Sequence, residues 1–214
     1  RRRELKHIYY GPEFSDAEMG AAAAAAGLPY ERLEDPAARA AELLVEGKIL
    51  GWFQGRMEFG PRALGNRSLL ADPRRADMKD VMNARVKRRE GFRPFAPSVL
   101  AEKCGEWFVH DAPSPFMLMV YPLRPEKLPL VPAIAHVDGT GRVQTVTRDT
   151  NPLYHRLIEE FERRTGVPMV LNTSFNVRGE PIVCTPEDAI ACFKNTDFDC
   201  LILGRHLLRK SAAA

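Results

Sequence analysis

Apolar positions along the chain fall into two recurring patterns: short runs bounded by turn residues, and longer stretches with helical spacing. Their alternation predicts an α/β protein with extra hairpin-like pieces near its middle. The first short run, His7–Tyr10, is stopped by Gly11-Pro12 and predicts a strand. Ser15-Asp16-Ala17-Glu18 has capping-box spacing and predicts a helix to about Ala26, with Gly27 just past its end. Asp35-Pro36 opens a second helix that stops at Gly47, with proline at the first helical position, where its missing N–H matters least. Ile49–Phe53 then reads as a buried strand.

From Gln54 to Ser68 periodicity disappears. Gly55, Gly60, Pro61 and Gly65 alternate with Arg56, Arg62 and Arg67, which is loop chemistry. A short apolar stretch, Ser68–Ala71, follows, then a helix over Ala76–Lys87 and a stiff loop over Gly91–Pro97. Ser98–Leu100 and Phe116–Pro122 predict strands, and the turn Asp138-Gly139-Thr140-Gly141 leads into a strand over Arg142–Thr147. Asn151-Pro152 caps a strongly patterned helix that ends at Gly166; Pro168–Leu171 is a strand and Asn172–Asn176 a polar loop at its carboxyl end. Thr185-Pro186-Glu187-Asp188 opens a last helix, and Asp199–Leu203 is a final buried strand. No internal repeat is present.

A length of 214 residues suffices for one good core, or for a domain with a small appendage. At 45% apolar and 28% charged residues the composition is that of a globular protein, and no apolar run approaches the ~18 residues of a membrane helix. Arg1-Arg2-Arg3-Glu4 has no apolar segment behind it, so no signal peptide is expected. The chain lacks an initial Met and reads from its first residues as mid-protein, with Ala212-Ala213-Ala214 as a foreign tail, so we expect a piece of a longer protein. Cys104, Cys184, Cys192 and Cys200 form no C-x-x-C pair, which predicts free thiols and a cytoplasmic setting rather than a zinc or redox motif.

Charge sharpens this picture. The net value is only +3, yet Arg56–Arg93 holds nine Arg and two Lys against five acids, a local balance of +6. Arginine suits planar, bidentate contact with phosphate or carboxylate. Neither G-x-x-x-x-G-K-[ST] nor G-x-G-x-x-G occurs, so a nucleotide would have to be held by side chains.

Four segments carry candidate chemistry. In Gly55–Ser68, Arg62 and Arg67 can fork onto phosphoryl oxygens and Ser68 can add a hydrogen bond; a surface loop of Arg–Glu pairs is the competing reading. Two such arginines, at roughly 1.5–3 kcal/mol each, supply much of the binding energy that a micromolar ligand needs. In Asn83–Phe95, Asn83 and Lys87 share a helix face at i, i+4, and Arg93 springs from a stiff Phe/Pro loop, whereas Arg88 and Arg89, like Arg74 and Arg75 before this segment, are expected to face solvent. In His136–Thr145, Arg142 and Gln144 share one strand face, either a solvent face or a pocket wall, and His136 is either structural or a proton carrier. In Leu171–Asn176, Asn172, Thr173, Ser174 and Asn176 follow a buried strand, where open α/β sheets collect ligands; a turn with local backbone bonds is the alternative.

Together, MEFGPRALGNRS (57–68), FRPFAPSV (92–99), HVDGTGRVQTV (136–146) and LNTSFNVRGEPIV (171–183) resemble the carbamoyltransferase family that includes nodulation protein U and the antibiotic O-carbamoyltransferases. The likeness runs from Gly11 to about Leu203-Gly204. It implies the second of two domains: a YrdC-like twisted mixed sheet flanked by helices, over residues 35–210, which converts carbamoyl phosphate and ATP to carbamoyl-adenylate. Residues 1–34 would be a linker and boundary segment from an N-terminal metal-binding domain, with Fe2+ or a similar metal, that transfers the carbamoyl group to a hydroxyl acceptor. The resemblance further implies that Lys87, Arg93, Arg142 and His136 act in catalysis, with Arg62 and Asn172 on carbamoyl phosphate and Arg67, Ser68, Thr173, Ser174 and Asn176 in support. Mg2+ would accompany ATP, with no metal ligand assigned in this chain. Two other readings stay open: a threonylcarbamoyl-adenylate synthase of the same fold, using bicarbonate and threonine, and a basic RNA-binding module. Arginines set in Gly/Pro loops and an aromatic content of 8% argue against nucleic acid as a partner, and a membrane is not expected.

Overall fold

The computed structural model describes residues 5–210. In chain order the elements are α1 (Asp16–Ala25), β1 (Tyr30–Arg32), α2 (Pro36–Val45), β2 (Leu50–Phe53), β3 (Arg67–Ala71), α3 (Met78–Val81), a π-helical segment (Met82–Lys87), β4 (Ala96–Leu100), α4 (Cys104–Trp107), β5 (Met119–Pro122), β6 (Thr140–Val146), α5 (Pro152–Thr165), β7 (Met169–Ser174), α6 (Pro186–Asn195), β8 (Cys200–Leu203) and β9 (His206–Arg209). The Ser15/Glu18 and Thr185/Asp188 capping boxes form, and Asp35 and Asn151 cap α2 and α5 ahead of their prolines. These side chains satisfy N–H groups that a helix start otherwise leaves open.

Nine strands make one mixed sheet in the order β1-β9-β8-β2-β3-β7-β4-β6-β5. β2 pairs with β8, and β4 with β6, in parallel, while β7 runs antiparallel to both β3 and β4. Two helix pairs, α2 with α5 and α1 with α6, pack together and cover the sheet. From α5, Tyr154, Leu157, Ile158 and Phe161 are buried; each large apolar side chain contributes roughly 1.5–3 kcal/mol on burial. Met19 and Ala23 of α1 join the same core, and β1 pairs with β9, so segments before residue 35 pack onto the sheet.

Several local expectations are corrected. His7–Tyr10 is not a strand: Tyr9 forms an isolated bridge with Glu58, because its partner is an irregular loop without a second register position. The helix expected over Ala76–Lys87 is α-helical only to Val81 and then widens to π geometry, ending at Arg88 with φ 47°. π turns of this kind are local insertions that cluster at functional sites. The supposed polar loop Asn172–Asn176 is largely strand, since β7 runs through Ser174. β5 starts only at Met119, and Met117 before it takes φ 56°.

Candidate functional site

Where β3, β4 and β6 begin and β7 ends, the sheet leaves a cleft of about 110 Å³ walled by Arg62, Ala63, Arg89, Phe95, Met117, Arg142, Asn172, Thr173 and Ser174. That volume suits a small anion and falls short of the roughly 300–1,000 Å³ of a nucleotide-sized pocket. Three guanidinium groups converge on it. Burial, then the charges of Arg62 and Arg89, press the Arg142 guanidinium below its usual range. Nε of Arg62 and Nε of Arg142 are both buried without a partner. Arg142 Nη2 meets only the sulfur of Met117, at 3.9 Å, a weak acceptor. Unanswered buried N–H groups on like-charged side chains mark a place where an anion would be stabilised.

Beneath the arginines lies an ordered amide network. Asn172 Nδ2 donates to Ala63 O (3.2 Å), Ser98 Oγ (2.9 Å) and Gln144 Oε1 (3.1 Å). Ser98 Oγ donates to Gln144 Oε1 at 2.6 Å, and Gln144 Nε2 donates to Leu64 O at 2.8 Å. With its amino group so engaged, Asn172 leaves Oδ1 as a buried acceptor without a donor. The cleft therefore offers cationic donors and, in the same wall, one amide oxygen.

The loop carrying Arg62 is wrapped around a buried carboxylate. Glu58 Oε1 accepts from Leu64 N (2.7 Å), Asn66 N (2.8 Å) and Arg67 N (3.3 Å). Burial pushes the Glu58 carboxyl upward, and those N–H groups and Arg67 oppose the shift. Arg67 faces inward. Its Nη1 donates to Gln54 O (2.6 Å), Asn66 O (2.9 Å) and Gly55 O (3.2 Å), its Nη2 to Pro12 O and Gly55 O (3.3 Å each), and its guanidinium carbon lies 3.6 Å from the Phe53 ring centroid. Burial lowers it to about 10. Ser68 is likewise internal, accepting from Gly65 N at 3.1 Å. Both residues hold the loop and stand outside the cleft.

Lys87 is nine-tenths enclosed and bonded to its own chain: Nζ reaches Ser174 O (2.5 Å), Asn176 Oδ1 (2.9 Å), Asn176 O (3.0 Å) and Ser174 Oγ (3.3 Å). Burial, then Arg89, pulls its ammonium down to about 7. It ties the π segment to the end of β7. Asn83, on the same segment, donates to Gly91 O and Arg93 O and accepts from Arg89 Nε at 2.7 Å. Arg93 lies outside the cleft, in an adjoining depression of about 250 Å³, where its side chain is 55% exposed and pairs with Glu90 at 3.1 Å. Lys87 and Asn176 line that depression too, and Ser174 borders both spaces. His136 stands apart on the turn before β6, with Nδ1 3.0 Å from Thr140 Oγ1; burial lowers its pKa.

Of the sequence candidates, the structure thus joins Arg62, Arg142, Asn172, Thr173 and Ser174 in the cleft, and Lys87, Arg93 and Asn176 beside it. Arg89, expected to face solvent, lines both spaces because the π turn and the left-handed Arg88 redirect it. No sequence signal marks a π turn, but the Arg-rich stretch itself held the clue. Among the described residues no group of three or more His, Cys, Asp or Glu converges as a metal site, and no helix is long and apolar enough to cross a membrane.

The fold is YrdC-like. The structure superposes on P. abyssi Sua5 complexed with L-threonine with a TM-score of 0.57, at 19% identity, covering 81% of this chain and 47% of that one. On full-length HypF in its phosphate- and nucleotide-bound form the TM-score is 0.55, at 21% identity over 86% of this chain and 23% of that one. At the family level, residues 41–210 match the family described as "Carbamoyltransferase C-terminus", and the chain belongs to it. It is 49% identical to nodulation protein NolNO of Sinorhizobium fredii over all of this chain and 32% of that protein. It is also 40% identical to the 3'-hydroxymethylcephem-O-carbamoyltransferase of Amycolatopsis lactamdurans over 75% of this chain and 30% of that protein. The chain spans about a third of the length of these relatives.

Proposed function

We propose that this chain activates carbamoyl phosphate with ATP, forming carbamoyl-adenylate for a carbamoyltransferase. The observation that carries the reading is the cleft, with unpartnered N–H groups of Arg62 and Arg142 and an unpartnered carbonyl of Asn172 in one wall. Carbamoyl phosphate presents matching groups: a phosphate for the guanidiniums and an amide NH2 for Asn172 Oδ1. Acetyl phosphate has the first and lacks the second.

Water removes the phosphoryl group, giving inorganic phosphate and carbamate. A carbamate oxygen then attacks the α-phosphorus of ATP, the bond to the β-phosphate oxygen breaks, and pyrophosphate leaves. Anionic charge gathers on the oxygens throughout, and fixed cations stabilise it without reorganising. Arg62 and Arg142 hold the first phosphate, Asn172 orients the carbamoyl group, and Thr173 adds a hydroxyl at the wall. Mg2+ would accompany ATP as part of the substrate and supply neutralising charge to its phosphates, without a dedicated set of protein ligands. His136 takes no step, being outside the cleft. Transfer to a hydroxyl acceptor belongs to the remaining two-thirds of the full-length protein, as the name of the cephem relative suggests.

Arg142→Ala should abolish carbamoyl-phosphate-dependent exchange of labelled pyrophosphate into ATP while the protein keeps its melting temperature within a few degrees. Exchange at the wild-type rate in this variant contradicts the assignment.

A further inference from the structure

An amide side chain has nearly the same shape either way round, so its hydrogen-bond partners decide which end of Asn172 faces the cleft. Two acceptors in this network are fixed in sense. Ala63 O accepts from Asn172 Nδ2 at 3.2 Å, and Leu64 O accepts from Gln144 Nε2 at 2.8 Å. Both are backbone carbonyls, which can only accept. Leu64 O is itself held by Tyr9 Oη, which donates to it at 2.9 Å. With its amino group spent on Leu64, Gln144 turns Oε1 toward β4 and β7. There it accepts from Ser98 Oγ at 2.6 Å and from Asn172 Nδ2 at 3.1 Å. Ser98 and Gln144 stand directly opposite each other in the β4–β6 pair. The bonds therefore run in one sense, from the carbonyls of the Arg62 loop through β6 to β7. They end on Asn172 Oδ1, buried and without a donor.

Gln144 and Ser98 are buried and stand outside the lining of the cleft, so they act on a ligand only through Asn172. We propose that Gln144 is a positioning residue that sets the polarity of the cleft wall, so that the site selects an acyl phosphate ending in an amide NH2 over one ending in a methyl group. An NH2 satisfies Oδ1, whereas a methyl leaves it enclosed and unpaired. This role rests on the carbamoyl-activation reading, which sets Asn172 against the acyl group. The Arg62 loop then has two tasks: a cation for the phosphate, and carbonyls that orient the amide beneath it.

Phosphonoacetamide and acetonylphosphonate are stable probes that share a phosphonate and a carbonyl and differ in ending on NH2 or CH3. Calorimetric titration of the chain should favour phosphonoacetamide by about tenfold or more, the usual loss when a buried acceptor is left unpaired. Gln144→Met keeps the side-chain length and removes both bonds. Ser98 is then free to donate to Asn172, which favours the reversed amide. The preference should fall to about threefold or less, while inorganic phosphate binds within about twofold of wild type. Loss of packing alone would weaken all three ligands together. Gln144→Glu still accepts from Ser98 and Asn172 and should keep the preference, as should Ser98→Ala, in which Gln144 still accepts from Asn172. Equal affinity for the two probes in wild type overturns the proposal. So does a preference lost in Ser98→Ala, which can be read even where Gln144→Met does not fold. If Gln144→Met keeps the wild-type preference, Gln144 has no such role and the carbamoyl reading stands. If the preference follows Gln144 but carbamoyl-phosphate-dependent exchange is absent, the polarity role stands and the adenylate reading falls.

Discussion

Arg62 and Arg67 come from one loop, five residues apart, yet have opposite environments. Arg67 is fully buried, and its Nη atoms are answered by the carbonyls of Pro12, Gln54, Gly55 and Asn66. Arg62 lines the cleft and donates no hydrogen bond among the described residues, although each of the two keeps a buried Nε without a partner. Arg67→Met therefore strips donors from several enclosed carbonyls and should cost about 2–4 kcal/mol of stability by denaturant unfolding, against under about 1 kcal/mol for Arg62→Met. Lys87 gives a prediction in pH. Its folded pKa of about 7 lies below the ordinary lysine value of about 10.4. Between those values the unfolded chain holds a proton that the folded one has released. The cost of the buried ammonium is full below pH 7 and is relieved as pH rises toward 10. The stability difference between wild type and Lys87→Met should shift in favour of wild type over that interval; a pH-independent difference would remove this assignment. Sequence alone could propose Arg62, Arg142 and Asn172 from residue type and spacing. It could not separate Arg62 from Arg67, because the two differ only in the backbone carbonyls that the folded loop delivers.

At the scale of elements, helix starts were legible and shape changes were not. Capping residues and N-terminal prolines announce α1, α2, α5 and α6 through local chemistry that needs no tertiary partner. β1, with the sequence Tyr-Glu-Arg and all three residues exposed, has no apolar alternation, and it exists because β9 offers an edge. Polar residues at the end of β7 read as a loop, yet Asn172 continues the strand because Gln144, Ser98 and Ala63 accept from its amide NH2 inside the sheet. The Arg62 loop depends on Gly65, with φ 104° and a position where any Cβ would overlap the Tyr154 ring. Gly65→Ala should lower the melting temperature by several degrees or more and weaken phosphate binding, since the shift must pass through the turn to Ala63 and Leu64. A variant with unchanged stability would show that the turn relaxes freely.

The whole molecule sets its basic cleft where one strand ends and three begin, a consequence of mixing parallel and antiparallel pairs in one sheet. The alternation of helices and strands conveyed the α/β class; the mixed strand order is decided by long-range pairing that no local pattern encodes. The chain spans about a third of its relatives' length; under the proposed function this part activates the carbamoyl group and leaves the choice of acceptor hydroxyl to the rest of the protein. The most direct test incubates the chain with ATP, Mg2+ and carbamoyl phosphate and follows products by phosphorus NMR. Phosphate and pyrophosphate should appear in equal amounts, and bicarbonate with threonine should give no pyrophosphate. Pyrophosphate release driven by bicarbonate and threonine, and not by carbamoyl phosphate, would contradict the account.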